Sequence, residues 1–141
     1  MLPVVEIYNS LPQEAATIRE DTFLNEQGFS VEFDDIDNYA THILLRMGEE
    51  VVGTCRFFYS EERKSYAIGR VAVVKKYRGK GYGSMLIKAA EKEIVKLGGT
   101  KIYISSQCRA SDFYASLGYK KTGSEYMDEF CPHIGMIKEV S

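Results

Sequence analysis

Residues 70–86 read Arg-Val-Ala-Val-Val-Lys-Lys-Tyr-Arg-Gly-Lys-Gly-Tyr-Gly-Ser-Met-Leu, a β-branched run entering a basic, glycine-rich turn that opens an amphipathic stretch. The pattern predicts a strand that hands over directly to a helix. Such a junction can hold an anion: the first amides of a helix have no partner inside it, their dipoles leave positive potential there, and glycines let a phosphate approach the backbone. Lys75, Lys76, Arg78 and Lys80 add charge to the turn. The glycines fall at Gly79, Gly81 and Gly83, a G-x-G-x-G register. A Walker A loop would end in Gly-Lys-Ser/Thr, and a dinucleotide fingerprint would run G-x-G-x-x-G with an acidic residue about 20 positions on, so neither fits. Taken by itself, the stretch also reads as a tight strand-to-helix turn with a solvated basic face.

The rest of the composition narrows the ligand. A chain of 141 residues suits one domain, 1–141, large enough to bury a core without staples. Its net charge of -2 lacks the basic excess of a nucleic-acid protein, so the cluster at 75–80 is a local patch in an acidic field, suited to a small anion. Cys55, Cys108 and Cys131 are odd in number and scattered, which predicts reduced thiols in the cytoplasm. The N-terminal stretch Met1-Leu2-Pro3-Val4-Val5-Glu6 carries neither a signal peptide nor a membrane span, and no membrane partner is expected.

Outward from the central stretch, Pro3 to Tyr8 reads as a strand and Gln13 to about Glu26 as an amphipathic helix. On that helix Ala15, Ile18, Thr22 and Phe23 share one face, with Arg19, Glu20 and Asp21 elsewhere. An acidic segment with embedded aromatics follows over 28–37, as a short helix or ordered loop. Thr41 to Met47, Val51 to Tyr59 and Tyr66 to Val74 make a three-stranded meander. The helix from near Gly81 carries Leu86, Ala90, Ile94 and Leu97 and stops at Gly98-Gly99. Strand 101–105 should lie parallel to strand 66–74 because a helix crosses between them. A short helix over 110–117 and strands at 119–124 and 134–139 close the chain.

Arg78-x-x-Gly81-x-Gly83 after a strand resembles the acyl-CoA pyrophosphate loop of the GNAT superfamily of N-acetyltransferases. The order of elements resembles the GNAT fold, an α/β (α+β) architecture with a mixed, mostly antiparallel central sheet flanked by helices. Gln107-Cys108-Arg109-Ala110-Ser111-Asp112-Phe113-Tyr114-Ala115-Ser116-Leu117-Gly118-Tyr119 is similar to a second GNAT segment, with Gln107 where asparagine is usual. Residues 18–27, 34–37, 40–43 and 132–136 resemble the ElaA-like branch. The resemblance implies acetyl-CoA as co-substrate and an amine acceptor, either a small molecule or a peptide or protein amine. It implies that Arg78, Gly79, Lys80, Gly81, Tyr82, Gly83 and Ser84 grip pyrophosphate. By the same likeness the amides of Val71, Ala72 and Val73 align pantetheine beside a bulge, Gln107 contacts it, and Tyr114 lies near the sulfur.

Simple acid-base arithmetic constrains the chemistry. A phenol near pKa ~10 donating to a thiol near ~8.5 is uphill by roughly 2 kcal/mol, so donation concerted with loss of the thiolate is favoured over a free step. A lysine acceptor costs about 4.6 kcal/mol to be neutral at pH 7 and an α-amine only about 1, so the first needs a base more. Histidine is the residue type whose unperturbed titration suits such a base, which makes His42 and His133 the candidates, His133 being the better one and a satisfied structural imidazole the other reading of each. Glu26, Glu32 and Asp34 could steer a cationic amine or form a solvated acidic face, and Arg56 and Arg70 could meet an acidic group of the acceptor or line a sheet edge. Without a paired C-x-x-C or an H-x-x-x-H no metal is expected, and nothing beside Cys108 in sequence supplies a base for a ping-pong route, so direct transfer in a ternary complex is preferred. A non-catalytic acyl-CoA-binding or sensing module, a nucleotide-phosphate enzyme, and pairing of two copies through sheet edges stay open.

Overall fold

Alternating β-branched and aromatic runs form strands, and the stretches with 3.6-residue periodicity lie across them, in a computed structural model that describes residues 2–30 and 32–141. Met1 and Val31, the latter inside the acidic aromatic segment, fall outside the described residues. The strands are β1 (Val4–Tyr8), β2 (Thr41–Met47), β3 (Glu50–Ser60), β4 (Ser65–Val73), β5 (Lys101–Gln107), β6 (Lys120–Asp128) and β7 (Cys131–Glu139). The helices are α1 (Gln13–Arg19), α2 (Tyr82–Lys96) and α3 (Ser111–Ser116). The described strands form one 7-stranded sheet in the order β1-β2-β3-β4-β5-β7-β6. Among them β4 and β5 pair in parallel, with α2 as the crossover, and the remaining pairs are antiparallel. This is the mixed, mostly antiparallel sheet that the sequence predicts, with the last two strands longer than expected because they pair as a hairpin on both sides of an irregularity between Thr122 and Tyr126.

The core lies where α2 crosses the sheet. Leu86, Ile87, Ala90 and Ile94 are fully buried against Ile43, Val52, Ile68, Ile102 and Ile104. Close approach requires Gly53: a Cβ there would stand 2.9 Å from Leu86 Cδ1 and 3.1 Å from Ala72 O.

Helix α1 departs from the expectation in two ways. Past Arg19 the coil widens into a π-helix over Glu20–Glu26, with Gln27 N donating to Thr22 O at 3.0 Å. The buried stripe is Ala15, Ile18, Arg19 and Thr22, the i, i+3, i+4, i+7 spacing of a helix face. Arg19 is therefore inside, 1 % exposed, rather than on the polar side where its charge would suggest. Its guanidinium donates to Glu32 at 2.9 Å and in a fork to Asp37 at 2.8 and 3.0 Å. Truncating one member of a buried pair leaves the other charge uncompensated, so Arg19→Ala is expected to cost roughly 3–5 kcal/mol, read as a shift of the urea midpoint.

Candidate active site

Strand β4 bulges against β3 and parts from β5. Its register with β3 passes from Arg56↔Gly69 to Thr54↔Ala72, so Arg70 and Val71 together oppose Cys55 alone. That is a β-bulge, and it holds Arg70 at φ +51°, a left-handed conformation uncommon for a side chain of this size. On the other side the pairing with β5 stops at Ile68↔Ile104. Strand β5 runs on with β7 instead, through Ser106↔Ile134 to Gln107↔His133. A wedge opens between β4 and β5. Val74 N donates to Val52 O at 2.8 Å, and strand alternation then turns the amides of Val71 and Val73 away from β3 and into the wedge.

Beyond the wedge β4 runs through a 3-10 turn at Lys75–Tyr77 into the glycine turn. Gly79 and Gly81 take φ of +79° and +84°, and Gly81 caps α2 without any side-chain hydrogen bond to the first turn. The first amides of α2 thus keep their donors for another partner. The basic residues divide. Arg78 forks onto Glu26 at 2.6 and 2.7 Å and donates from Nε to Val73 O at 2.9 Å, so its charge ties the π-helix to β4. Tyr82 points into the core against Tyr77, with ring centroids 6.4 Å apart.

The wedge widens into a cavity of about 430 Å³. Val71, Ala72, Val73, Arg78, Gln107, Tyr114 and His133 all line it, whereas Gly79, Lys80, Gly81, Tyr82, Gly83 and Ser84 do not. Tyr114 is held edge-on to Phe113 and Tyr119, and its hydroxyl has no hydrogen-bond partner among the described residues. Burial raises its pKa. His133 is 6 % exposed, with Nδ1 3.0 Å from Cys131 O and the ring stacked on Tyr126. Gln107 has both ends engaged, donating to Gln27 Oε1 at 2.8 Å and accepting from Arg109 Nε at 2.7 Å. His42 lies elsewhere, fully buried on β2 with Nε2 3.1 Å from Asp37 O, and burial lowers its pKa.

The sequence reading missed the cluster beside the cavity. Arg56 and Arg70 are internal ion partners rather than a sheet-edge lining or free binders of an acidic acceptor. Arg56 is 3 % exposed and donates to Asp34 at 2.6 and 3.0 Å and to Asp37 at 2.8 Å. Arg70 donates to the Glu32 backbone oxygen at 3.1 and 2.9 Å and stands 2.8 Å from Glu32 Oε1. The visible signal was the acidic run at 34–37, but its three arginines come from α1, β3 and β4, and only folding joins them. Burial pushes the Asp37 carboxyl up, yet hydrogen bonds from Arg19 and Arg56 outweigh it and hold the group at about 2, below its ordinary 3.8. Because this carboxyl is depressed in the folded state, its contribution is complete above about pH 5 and lost as pH falls toward 2. The loss is about 2 kcal/mol, and Asp37→Asn should flatten that part of the acid-stability curve.

The thiols are free, and burial pushes Cys55 up to about 12. Burial, joined by Glu125, also raises Cys108, so little thiolate is present there. Among the described residues no three His, Cys, Asp or Glu side chains converge as metal ligands, and no helix is long and apolar enough to cross a membrane.

The Acetyltransferase (GNAT) domain family matches residues 8–140. The chain belongs to the GNAT acetyltransferase family. Within that family it is 32 % identical over 133 residues to the uncharacterized protein YyaT of Bacillus subtilis, covering 91 % of this chain and 88 % of YyaT. Protein ElaA of Escherichia coli is 30 % identical over 112 residues, 78 % of this chain and 73 % of ElaA. The ElaA crystal structure superposes with a TM-score of 0.86 at 26 % identity, covering 98 % of this chain and 100 % of that one. An acyl-CoA N-acyltransferase from Pseudomonas aeruginosa shares the fold, with a TM-score of 0.85 at 20 % identity over 97 % of this chain and 99 % of that one. The ElaA-like resemblance read from the sequence is thereby borne out.

Proposed function

We propose that this GNAT protein is an acetyl-CoA-dependent N-acetyltransferase that transfers acetyl directly to a primary amine. The observation that carries the reading is the wedge: two strand amides, Val71 and Val73, face a cavity that Arg78 also lines, and from Arg78 the glycine turn leads into the uncapped first turn of α2. A pantetheine arm would be met there as a strand partner is, and a diphosphate would be met by helix amides and glycine backbone. The residues fit such a ligand, since the glycine turn leaves open space above Gly79 and Gly81.

Bound acetyl-CoA supplies an activated thioester. A backbone amide of the bulge polarises the carbonyl oxygen, where a preorganised donor acts on developing charge. The amine nitrogen forms the N–C bond as the C–S bond breaks, the electron pair goes to sulfur, and the products are an amide and a thiol. Tyr114 donates a hydrogen bond to the departing sulfur. Since burial raises the phenol, the proton stays with its oxygen until sulfur carries the charge. His133 receives the amine proton at Nε2, its Nδ1 side being turned to Cys131 O. The raised Cys108 thiol disfavours a covalent acetyl-enzyme, and three unpaired cysteines accord with the cytoplasm.

The test is calorimetric titration with acetyl-CoA, followed by free-thiol release over a panel of amines. Binding together with release supports the reading. Binding without release on any amine identifies a non-catalytic acyl-CoA module, and tight ATP or NAD binding with none for acetyl-CoA overturns the assignment.

A further inference from the structure

The two walls of the wedge are tied together by one short stretch of chain. Glu26 ends the π-helix, Gln27 caps it, and both line the cavity. Glu26 accepts the fork of Arg78 at 2.6 and 2.7 Å, and Arg78 is fastened in turn to Val73 O on the β4 side. Gln27 accepts from Gln107 on the β5 side at 2.8 Å. Arg109 stands beyond Gln107. It lines the cavity, spends Nε on Gln107 Oε1 at 2.7 Å, and leaves both terminal nitrogens without a hydrogen-bond partner among the described residues.

Cations from both walls therefore converge on one carboxylate. Hydrogen bonds from Arg78, joined by the charges of Arg78, Lys75 and Arg109, hold the Glu26 carboxyl below its ordinary range. The side chains of Glu26 and Arg78 are each 37 % exposed, and an ion pair so open to water is weak. A diphosphate brings two charges and more oxygens to the same donors, and an arginine fork grips phosphate as readily as carboxylate. The edge formed by Nη1 and Nη2 of Arg78 holds one anion at a time. An anion that needs that edge must displace Glu26.

We infer that Glu26 is an internal stand-in for the cofactor's diphosphate: in the free protein its carboxylate occupies the fork of Arg78, and on binding the diphosphate takes that fork and is met from the opposite wall by Arg109. Glu26 then turns to water, which its exposure allows. The inference rests on the acetyltransferase reading for the identity of the ligand and adds to it a competing anion within the chain and a second phosphate-binding cation.

Four probes are titrated calorimetrically into the protein and its variants: CoA; dephospho-CoA, which keeps the diphosphate and lacks the ribose phosphate; pantetheine, which lacks all phosphate; and inorganic pyrophosphate. Glu26→Gln should tighten CoA, dephospho-CoA and pyrophosphate at least threefold and leave pantetheine within twofold. Asp128→Asn makes the same charge change in the lining of the same cavity without freeing an arginine, and should move CoA less than twofold. Arg109→Gln should weaken CoA and dephospho-CoA at least threefold at an unchanged melting temperature, and Arg109→Lys should restore most of the loss. A Glu26→Gln protein that binds CoA no more tightly, an equal gain from Asp128→Asn, or an equal gain for pantetheine overturns the inference. So does a gain confined to CoA, which would belong to the ribose phosphate, or normal CoA binding by Arg109→Gln. Failure of CoA to bind the unaltered protein instead overturns the acetyltransferase reading, and the pyrophosphate titration of Glu26→Gln is read independently of it.

Discussion

Gly81→Val should weaken acetyl-CoA binding by about tenfold or more while kcat at saturating acetyl-CoA changes less than threefold. The position needs glycine because of its backbone and not because of its neighbours. Its φ is +84°, in the left-handed region, and a Cβ there would meet nothing within 4 Å. Forcing an L-residue into that region costs on the order of 1–3 kcal/mol, most for a β-branched one. The turn relieves the strain by abandoning the conformation, which re-aims the first amides of α2. At about 1.4 kcal/mol per factor of ten in affinity, the strain alone accounts for the loss. Calorimetry on both proteins measures it, and an unchanged dissociation constant would remove the glycine turn from the binding site.

Tyr114→Phe is expected to do the opposite, lowering kcat roughly 10- to 100-fold with acetyl-CoA affinity within twofold. The hydroxyl has no hydrogen-bond partner among the described residues, so its removal breaks nothing in the resting protein, and the melting temperature should hold or rise. What is lost is a hydrogen bond to a sulfur that becomes charged as the bond breaks, an interaction worth about 1.5–3 kcal/mol when one partner is ionised. Steady-state kinetics beside a thermal melt separate this from a packing defect. Equal turnover in the two proteins would leave Tyr114 as a packing residue beside the cofactor.

The elements around the cavity were legible to different degrees. The 70–86 stretch announced itself because strand, glycine turn and helix are local, each written in period and composition within a dozen residues. Tyr114 and His133 could be named from segments that resemble a family, and folding does bring both to the cavity lined by Val71 to Val73. The bulge could not be read. Nothing in Arg70-Val71 distinguishes a left-handed arginine from an extended one, and it is the Glu32 backbone oxygen, 38 positions away, that holds it. Arg78 was legible as a charge but not as a latch, because Glu26 approaches it from the π-helix. Arg19 misled for the opposite reason: its spacing placed it on the buried stripe, while its charge argued for solvent.

By itself the sequence determined the order of strands and helices, the parallel crossover through α2 and the anion-ready turn, since these depend on side-chain periodicity and glycine backbone freedom over short spans. Tertiary structure alone decided that β4 would part from β5 and that three arginines and three carboxylates would neutralise one another in the interior. Those outcomes depend on groups far apart in the chain meeting in a place from which water is excluded, where each charge must find its partner and no local pattern records which one it will be.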